Sequence, residues 1–201
     1  LSSINLPPGL SEIELGTFDG CSSLMDIAIP ANVKTIEIIA FRNCTGLTAV
    51  NLPKNSSQIH PEAFRGCSNL TSFSIAGDNP SFTTAEGILY SKDKSTLVAY
   101  PDGKFAGTVI IADHVKSIGP RVFFSVSSLK EIDFPSGLTN IGDQAFYDTG
   151  LTSVTIPATV KTIGLRAFAE CTSLKTVSLP GTLTIIEAGT FEDCTSLTGV
   201  T

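Results

Sequence analysis

The chain has 201 residues, 42% of them hydrophobic and 16% charged, with a net charge of −6. This balance excludes a disordered chain, which combines low hydrophobicity with high net charge, and 13 basic residues without a cluster do not make a phosphate-binding surface. No apolar run approaches the roughly 18 residues of a membrane-spanning helix, and Leu1-Ser2-Ser3-Ile4 lacks the basic start and apolar core of a signal peptide.

Read along the chain, phenylalanines recur at Phe18, Phe41, Phe64, Phe123, Phe146, Phe168 and Phe191, with prolines keeping step at Pro7, Pro30, Pro53, Pro135, Pro157 and Pro180. The unit is L-x-x-I-x-I-P-x-x-V-x-x-I-x-x-x-A-F-x-x-C-x-x, and a fixed period of this size is the mark of a solenoid. In residues 24–46, Leu24, Ile27 and Ile29 have the L-x-x-I-x-I spacing, and the last two alternate with Asp26 and Ala28 as one buried face of a strand requires. Pro30 ends that strand because it cannot donate to a ladder. Val33, Ile36 and Ala40-Phe41 then suit turns or 3₁₀ pieces. The register predicts strands at 3–6, 26–29, 49–52, 72–75, 108–111, 131–134, 153–156 and 176–179, with a last one beginning at Leu197.

Two departures stand out. One unit is a residue short, because only Tyr147-Asp148-Thr149-Gly150 separate Phe146 from Leu151. An insertion occupies 76–105, where the apolar runs Gly87 to Tyr90 and Thr96 to Tyr100 flank a polar stretch, Ser91 to Ser95, as in a β-hairpin. About 30 residues cannot build a core alone. The organisation expected is therefore a single domain, 1–201, comprising N-terminal repeats 1–75, the insertion 76–105 and C-terminal repeats 106–201.

Cys21, Cys44, Cys67, Cys171 and Cys194 each lie three residues after a repeat phenylalanine. That spacing is the solenoid period rather than a C-x₂₋₄-C metal pattern, and the expected role is a small buried hydrophobe. His60 and His114 sit in turns without a nucleophile in a suitable context, and no phosphate-binding glycine motif occurs. The reading is non-catalytic, with no metal and no cofactor.

The segments Ile156 to Gly164, Ala167-Phe168-Ala169-Glu170-Cys171 and Phe134 to Phe146 resemble the BspA-like, or Treponema pallidum type, leucine-rich repeat family, as does the insertion's Gly87-Ile88-Leu89-Tyr90-Ser91-Lys92-Asp93 with its later Tyr100-Pro101. The resemblance implies an α/β-type repeat solenoid: a right-handed leucine-rich-repeat superhelix with one parallel sheet, irregular or 3₁₀ return segments and one β-hairpin insertion. It also implies an extracellular or cell-surface protein of bacterial type whose relatives include adhesins. The expected partner is a host matrix or cell-surface protein, with no nucleic acid and no membrane insertion by this chain.

Residues alternating with the buried ones form two outward rows, mostly Ser, Thr and Asn. At about 4.8 Å per strand they make a long shallow face. From these rows the candidate partner-binding residues are Asp26, Asn51, Thr108, Glu131, Asp133 and Thr155, with the acidic Glu131 and Asp133 preferred. Two other readings stay open: a rigid spacer within a larger surface protein and longer array, and a carbohydrate-binding module, which would need aromatic platforms in a chain with 0 Trp.

Overall fold

The repeat's apolar alternation is realised as short parallel strands in a computed structural model that describes residues 3–104 and 107–201. Leu1 and the insertion's last residue, 105, lie outside the described residues. Contacts divide the chain into two compact units, Leu1–Lys94 with Ala99–Lys104, and Ser95–Val98 with Phe105–Thr201. Each is a stack of solenoid coils.

In the first unit, Ala49–Leu52 and Ser72–Ile75 pair in parallel, Ala49 opposite Ser72 and Leu52 opposite Ile75. Their inward residues Val50, Leu52 and Phe73 are buried. The strands expected at 3–6 and 26–29 shrink to one parallel bridge between Asn5 and Ala28. Pro7 and Pro8 in succession remove two donors beside it.

The return segments contain more order than turns. Glu12–Ile13, Thr35–Ile36 and Gln58–Ile59 form a second parallel ladder, Ile13 opposite Ile36 and Ile36 opposite Ile59. The V-x-x-I spacing brings one isoleucine per coil inward beside a polar residue that faces out, so a two-residue strand suffices. Among the described residues, 3₁₀ turns occur at Pro61–Phe64 and Asp102–Lys104. The first follows from Pro61, whose fixed φ suits a helical first position, with the His60 imidazole Nδ1 accepting from the Glu62 amide at 3.2 Å.

The insertion packs onto this unit. Phe82–Ala85, a strand the sequence pattern did not show, pairs antiparallel with Ile88–Ser91 through a turn at Glu86-Gly87. Gly87 has φ +77°, and its carbonyl accepts from the Phe73 amide at 2.8 Å. A Cβ there would lie 2.8 Å from the Ser72 Cβ, so only glycine lets the turn approach so closely. Buried Asn79 ties the start of the insertion down: its Nδ2 donates to the carbonyls of Ser56 at 2.8 Å and Pro53 at 3.3 Å.

Asp102 completes the unit's last turn. Elsewhere the amide two residues after the repeat phenylalanine donates to the next coil, as Gly20 does to the Arg42 carbonyl at 2.7 Å and Asn43 to that of Arg65 at 2.8 Å. The Gly66 amide instead meets the Asp102 carboxylate at 2.6 Å. Burial pushes this carboxyl up to about 6, against the lowering effects of the Gly66 amide and Arg65. A folded pKa above the unfolded value means the folded state holds the proton more tightly. The contribution to stability is therefore complete below the ordinary value of 3.8 and is lost as pH rises through about 6. Denaturant titrations from pH 4 to pH 7 should show the wild type losing more stability than Asp102→Asn, which keeps the acceptor and carries no charge. Parallel pH profiles would contradict this.

In the second unit Thr96 and Leu97 pair with Ser117 and Ile118. The ladder continues to Asn140–Ile141 and Thr162–Ile163, the counterpart of the first unit's return ladder. On the other side Thr108–Ile110 pairs with Glu131–Asp133, and Ser153–Thr155 pairs with Thr176–Ser178, itself paired with Gly199–Val200. These are two separate sheets of 2 and 3 strands, so no ladder joins 131–133 to 153–155.

Phenylalanines fill the turns. Phe18, Phe41 and Phe64 stack at 5.1 Å per step, and Phe123, Phe146 and Phe168 at 5.1 and 5.0 Å. Outside the Phe64 coil, where Pro61–Phe64 forms a 3₁₀ turn and Gly66 alone is left-handed, each coil bends through two left-handed residues, two before and two after its phenylalanine, such as Gly16 and Gly20, Arg121 and Ser125, Gln144 and Asp148, Arg166 and Glu170. Glycine adopts this conformation freely while other residues pay of order 1 kcal/mol. Ser125→Gly, matching Gly20 and Gly66 in the equivalent place, should raise stability by about 1 kcal/mol in denaturant unfolding; a loss of stability would contradict this.

Candidate protein-binding face

The strands fix where the expected contact residues stand. Asp26 and Asn51 belong to the first unit; Asp26 is exposed outside any strand, and Asn51 accepts from the Ser74 hydroxyl at 3.1 Å. Thr108, Glu131, Asp133 and Thr155 belong to the second unit and are all exposed. The Thr108 hydroxyl donates to the Glu131 Oε2 at 2.6 Å. Asp133 stands opposite Ile110, which is 73% exposed.

Glu131, Asp133 and Thr155 line one cleft of about 530 Å³, together with Phe134, Ser136, Ser153 and Pro157. The cleft coincides with the break between the two sheets. Two sequence features meet there. Phe134 occupies the position that Ile29, Leu52, Ile75, Ile111 and Ile156 hold in other coils, and its ring meets Phe146 edge-on at 5.7 Å. The short coil also loosens the stack: Gly150 donates to Val126 at 3.4 Å and Thr152 to Lys130 at 3.3 Å, where Lys175 reaches Thr152 at 2.9 Å. A Cβ at Gly150 would overlap the Ser127 carbonyl oxygen, so the missing residue is accommodated by a glycine.

The sequence reading missed a second surface. On the outer turns of the second unit, half-buried Phe124 and Tyr147 stack at 4.8 Å, with the Arg121 guanidinium 5.3 Å from the Phe124 ring centre. The Arg121 Nε donates to Gln144 at 2.8 Å, and the Tyr147 hydroxyl to Glu170 at 3.3 Å. The signal was present in the residue after each repeat phenylalanine, which is charged at Asp19, Arg42, Arg65 and Glu192, aromatic at Phe124 and Tyr147, and alanine at Ala169. In the first unit this position carries the Asp19–Arg42 ion pair, whose guanidinium holds the Asp19 carboxyl below its usual range.

The cysteines are free; Cys44, Cys67, Cys171 and Cys194 are buried and Cys21 is half-buried. They are more than space-fillers. The Sγ of Cys44, Cys67 and Cys171 each donates to the phenylalanine carbonyl one coil back at 3.0 Å, and that of Cys194 does so at 3.1 Å. Burial pushes the Cys44 thiol up to about 11 and raises Cys67 further, which keeps the donor proton in place. Thr149, at the cysteine position of the short coil, contacts the Cys171 sulfur at 3.1 Å. Half-buried His60 caps a turn, and His114 is exposed. Among the described residues no group of three or more His, Cys, Asp or Glu side chains is placed to hold a metal, and no helix is long and apolar enough to cross a membrane.

Stacked coils of short parallel strands, a phenylalanine ladder in the turns and leucines in the core define a leucine-rich-repeat protein. The chain belongs to the family described as BspA type leucine rich repeat region, whose model matches residues 1–94 and 102–201 in 6 copies. It is similar in structure to a leucine rich cell surface protein from Faecalibacterium prausnitzii, at 26% identity and TM-score 0.72, covering 100% of this chain and 59% of that one. A leucine-rich repeat protein from Eubacterium ventriosum shares the fold at 22% identity and TM-score 0.66, over 100% of this chain and 72% of its own. So does the pneumococcal vaccine antigen PcpA, at 23% identity and TM-score 0.72, over 100% of this chain and 56% of its own. The chain thus spans 59% of the Faecalibacterium protein's length. No curated protein matches the sequence.

Proposed function

We propose that the chain is a non-catalytic interaction module of a bacterial cell-surface or secreted protein, mediating adhesion to host matrix or to other cells. The observation that carries this reading is the exposed sheet face of the second unit, where a cleft gathers Glu131, Asp133 and Thr155. Family membership supports it, because stacked repeats present extended surfaces suited to another macromolecule. The likeness to a protein described as a leucine rich cell surface protein supports the location. In this reading Thr108 positions Glu131, while Asp26 and Asn51 would extend contact on the first unit.

The test is a binding screen of the purified chain against matrix proteins and intact cells, repeated with Glu131→Lys and Asp133→Lys together. Saturable binding to a protein, lost in the double variant, is the expected result. Binding that the variant leaves unchanged would move the contact away from this face. A screen that detects no protein partner, with binding to glycans instead, would overturn the reading.

A further inference from the structure

The break in the sheet leaves specific main-chain groups without a strand partner. Ile111 donates to the Asp133 carbonyl, so the main chain of Asp133 faces strand 108–110. Strand alternation then turns the amide and carbonyl of Ile132 the other way, toward 153–155. Ile156 donates to the Ser178 carbonyl, so Val154 likewise faces 176–178, and the main-chain groups of Ser153 and Thr155 point toward Ile132. In a closed stack these groups would bond to one another, but no ladder forms there.

The open edge offers main-chain donors and acceptors in equal number, so the carboxylates set the charge of the cleft. The Ile132 and Ser153 carbonyls border it, and the carboxylates of Glu131 and Asp133 and the hydroxyls of Ser136, Ser153 and Thr155 line it. Glu131 spends one oxygen on Thr108; Asp133 has no hydrogen-bond or ion-pair partner among the described residues. No lysine or arginine lines the cleft, and its aromatic member is Phe134.

We propose that the cleft receives an arginine side chain presented by an extended segment of the partner protein. This rests on the interaction-module reading and names the chemistry of its contact. A guanidinium has five donors in a planar fork, which matches a carboxylate bidentately and stacks on an aromatic face. Asp133 takes the fork, and Glu131 and the open-edge carbonyls accept the remaining N–H groups. An ammonium offers three donors and no plane, so lysine fits less well.

The test titrates the isotopically labelled chain with three blocked pentapeptides, Gly-Gly-Xaa-Gly-Gly, where Xaa is arginine, lysine or citrulline, the neutral isostere of arginine. The arginine peptide should shift the amide signals of Ile132, Asp133, Ser153 and Thr155, the lysine peptide should bind several-fold more weakly, and the citrulline peptide should leave them unmoved. Asp133→Asn should weaken the arginine peptide about tenfold, with its spectrum otherwise superimposable on the parent. Equal binding by citrulline or lysine, no shift at these four amides, or an unaffected Asp133→Asn would each overturn the proposal. If the peptides fail while the matrix screen finds a protein whose binding depends on Glu131 and Asp133, the arginine inference falls and the interaction reading stands.

Discussion

Phe146→Ala should destabilise the second unit by about 3–5 kcal/mol. The ring is fully buried, stacked on Phe123 at 5.1 Å and on Phe168 at 5.0 Å, with Phe134 edge-on at 5.7 Å. Removing it opens a cavity whose walls belong to three coils, and main-chain bonds hold those coils at fixed spacing: Phe123 donates to Ala145 at 2.8 Å and Phe146 to Ala167 at 2.8 Å. The walls cannot close on the void, so the cost lies toward the upper end of the range. Phe191→Ala is the control. Phe191 is half-buried and stacks at a looser 5.7 Å on Phe168, so its removal should cost markedly less. Denaturant unfolding followed by circular dichroism measures both. Equal losses would show that the phenylalanine column is not the spine of the unit.

Asn79→Asp is the second large effect, and it acts through hydrogen bonds rather than volume. The Asn79 amide nitrogen faces the carbonyls of Pro53 and Ser56, while its oxygen accepts from the amides of Ser81 at 2.7 Å and Phe82 at 2.8 Å. The side chain is 1% exposed. An aspartate keeps the two acceptor bonds but aims a carboxylate oxygen at two carbonyls. The loss should be about 3 kcal/mol or more at neutral pH. Burial beside those carbonyls raises the pKa of the new acid, so the damage should ease as pH falls below its folded value, where the protonated oxygen again donates to Ser56. Asn79→Ala loses all four bonds and should show no such recovery in acid. A neutral effect of both variants would mean that the insertion is anchored elsewhere.

The comparison of Phe146 with Asn79 also marks what could be read from sequence. Phe146 stood in a column of seven phenylalanines at one period, and its burial follows from that column. The strands at 49–52 and 72–75 appeared where the alternation of Val50, Leu52 and Phe73 placed them. Asn79 belonged to no column. Its partners are 23 and 26 residues away, and only the stacking of coils brings them within reach. The return ladder was hidden for a related reason. Two residues such as Thr35-Ile36 become a strand only through neighbours on adjacent coils, not through any local propensity. The cysteines were legible as buried but not as donors, because the receiving carbonyl lies one coil back.

For the candidate face, the sequence offered the acidic residues and the short coil as separate facts. Glu131 and Asp133 stood out by charge, and the single residue missing before Leu151 by count. That the two coincide at one cleft depends on where the loosened stack opens, which Phe134 and the close approach of Gly150 to Ser127 determine together. The Phe124–Tyr147 stack was readable in principle from the residue following each repeat phenylalanine.

Residue-resolved amide hydrogen exchange on the unliganded chain tests the central claim most directly, since both the candidate face and its chemistry depend on an open edge between 131–133 and 153–155. Exchange should be slow at Val154 and Ile156, whose amides are held by strand 176–178, and fast at Ile132, Ser153 and Thr155, whose amides face the cleft. Uniform protection across all five amides would show a closed ladder and would contradict that claim.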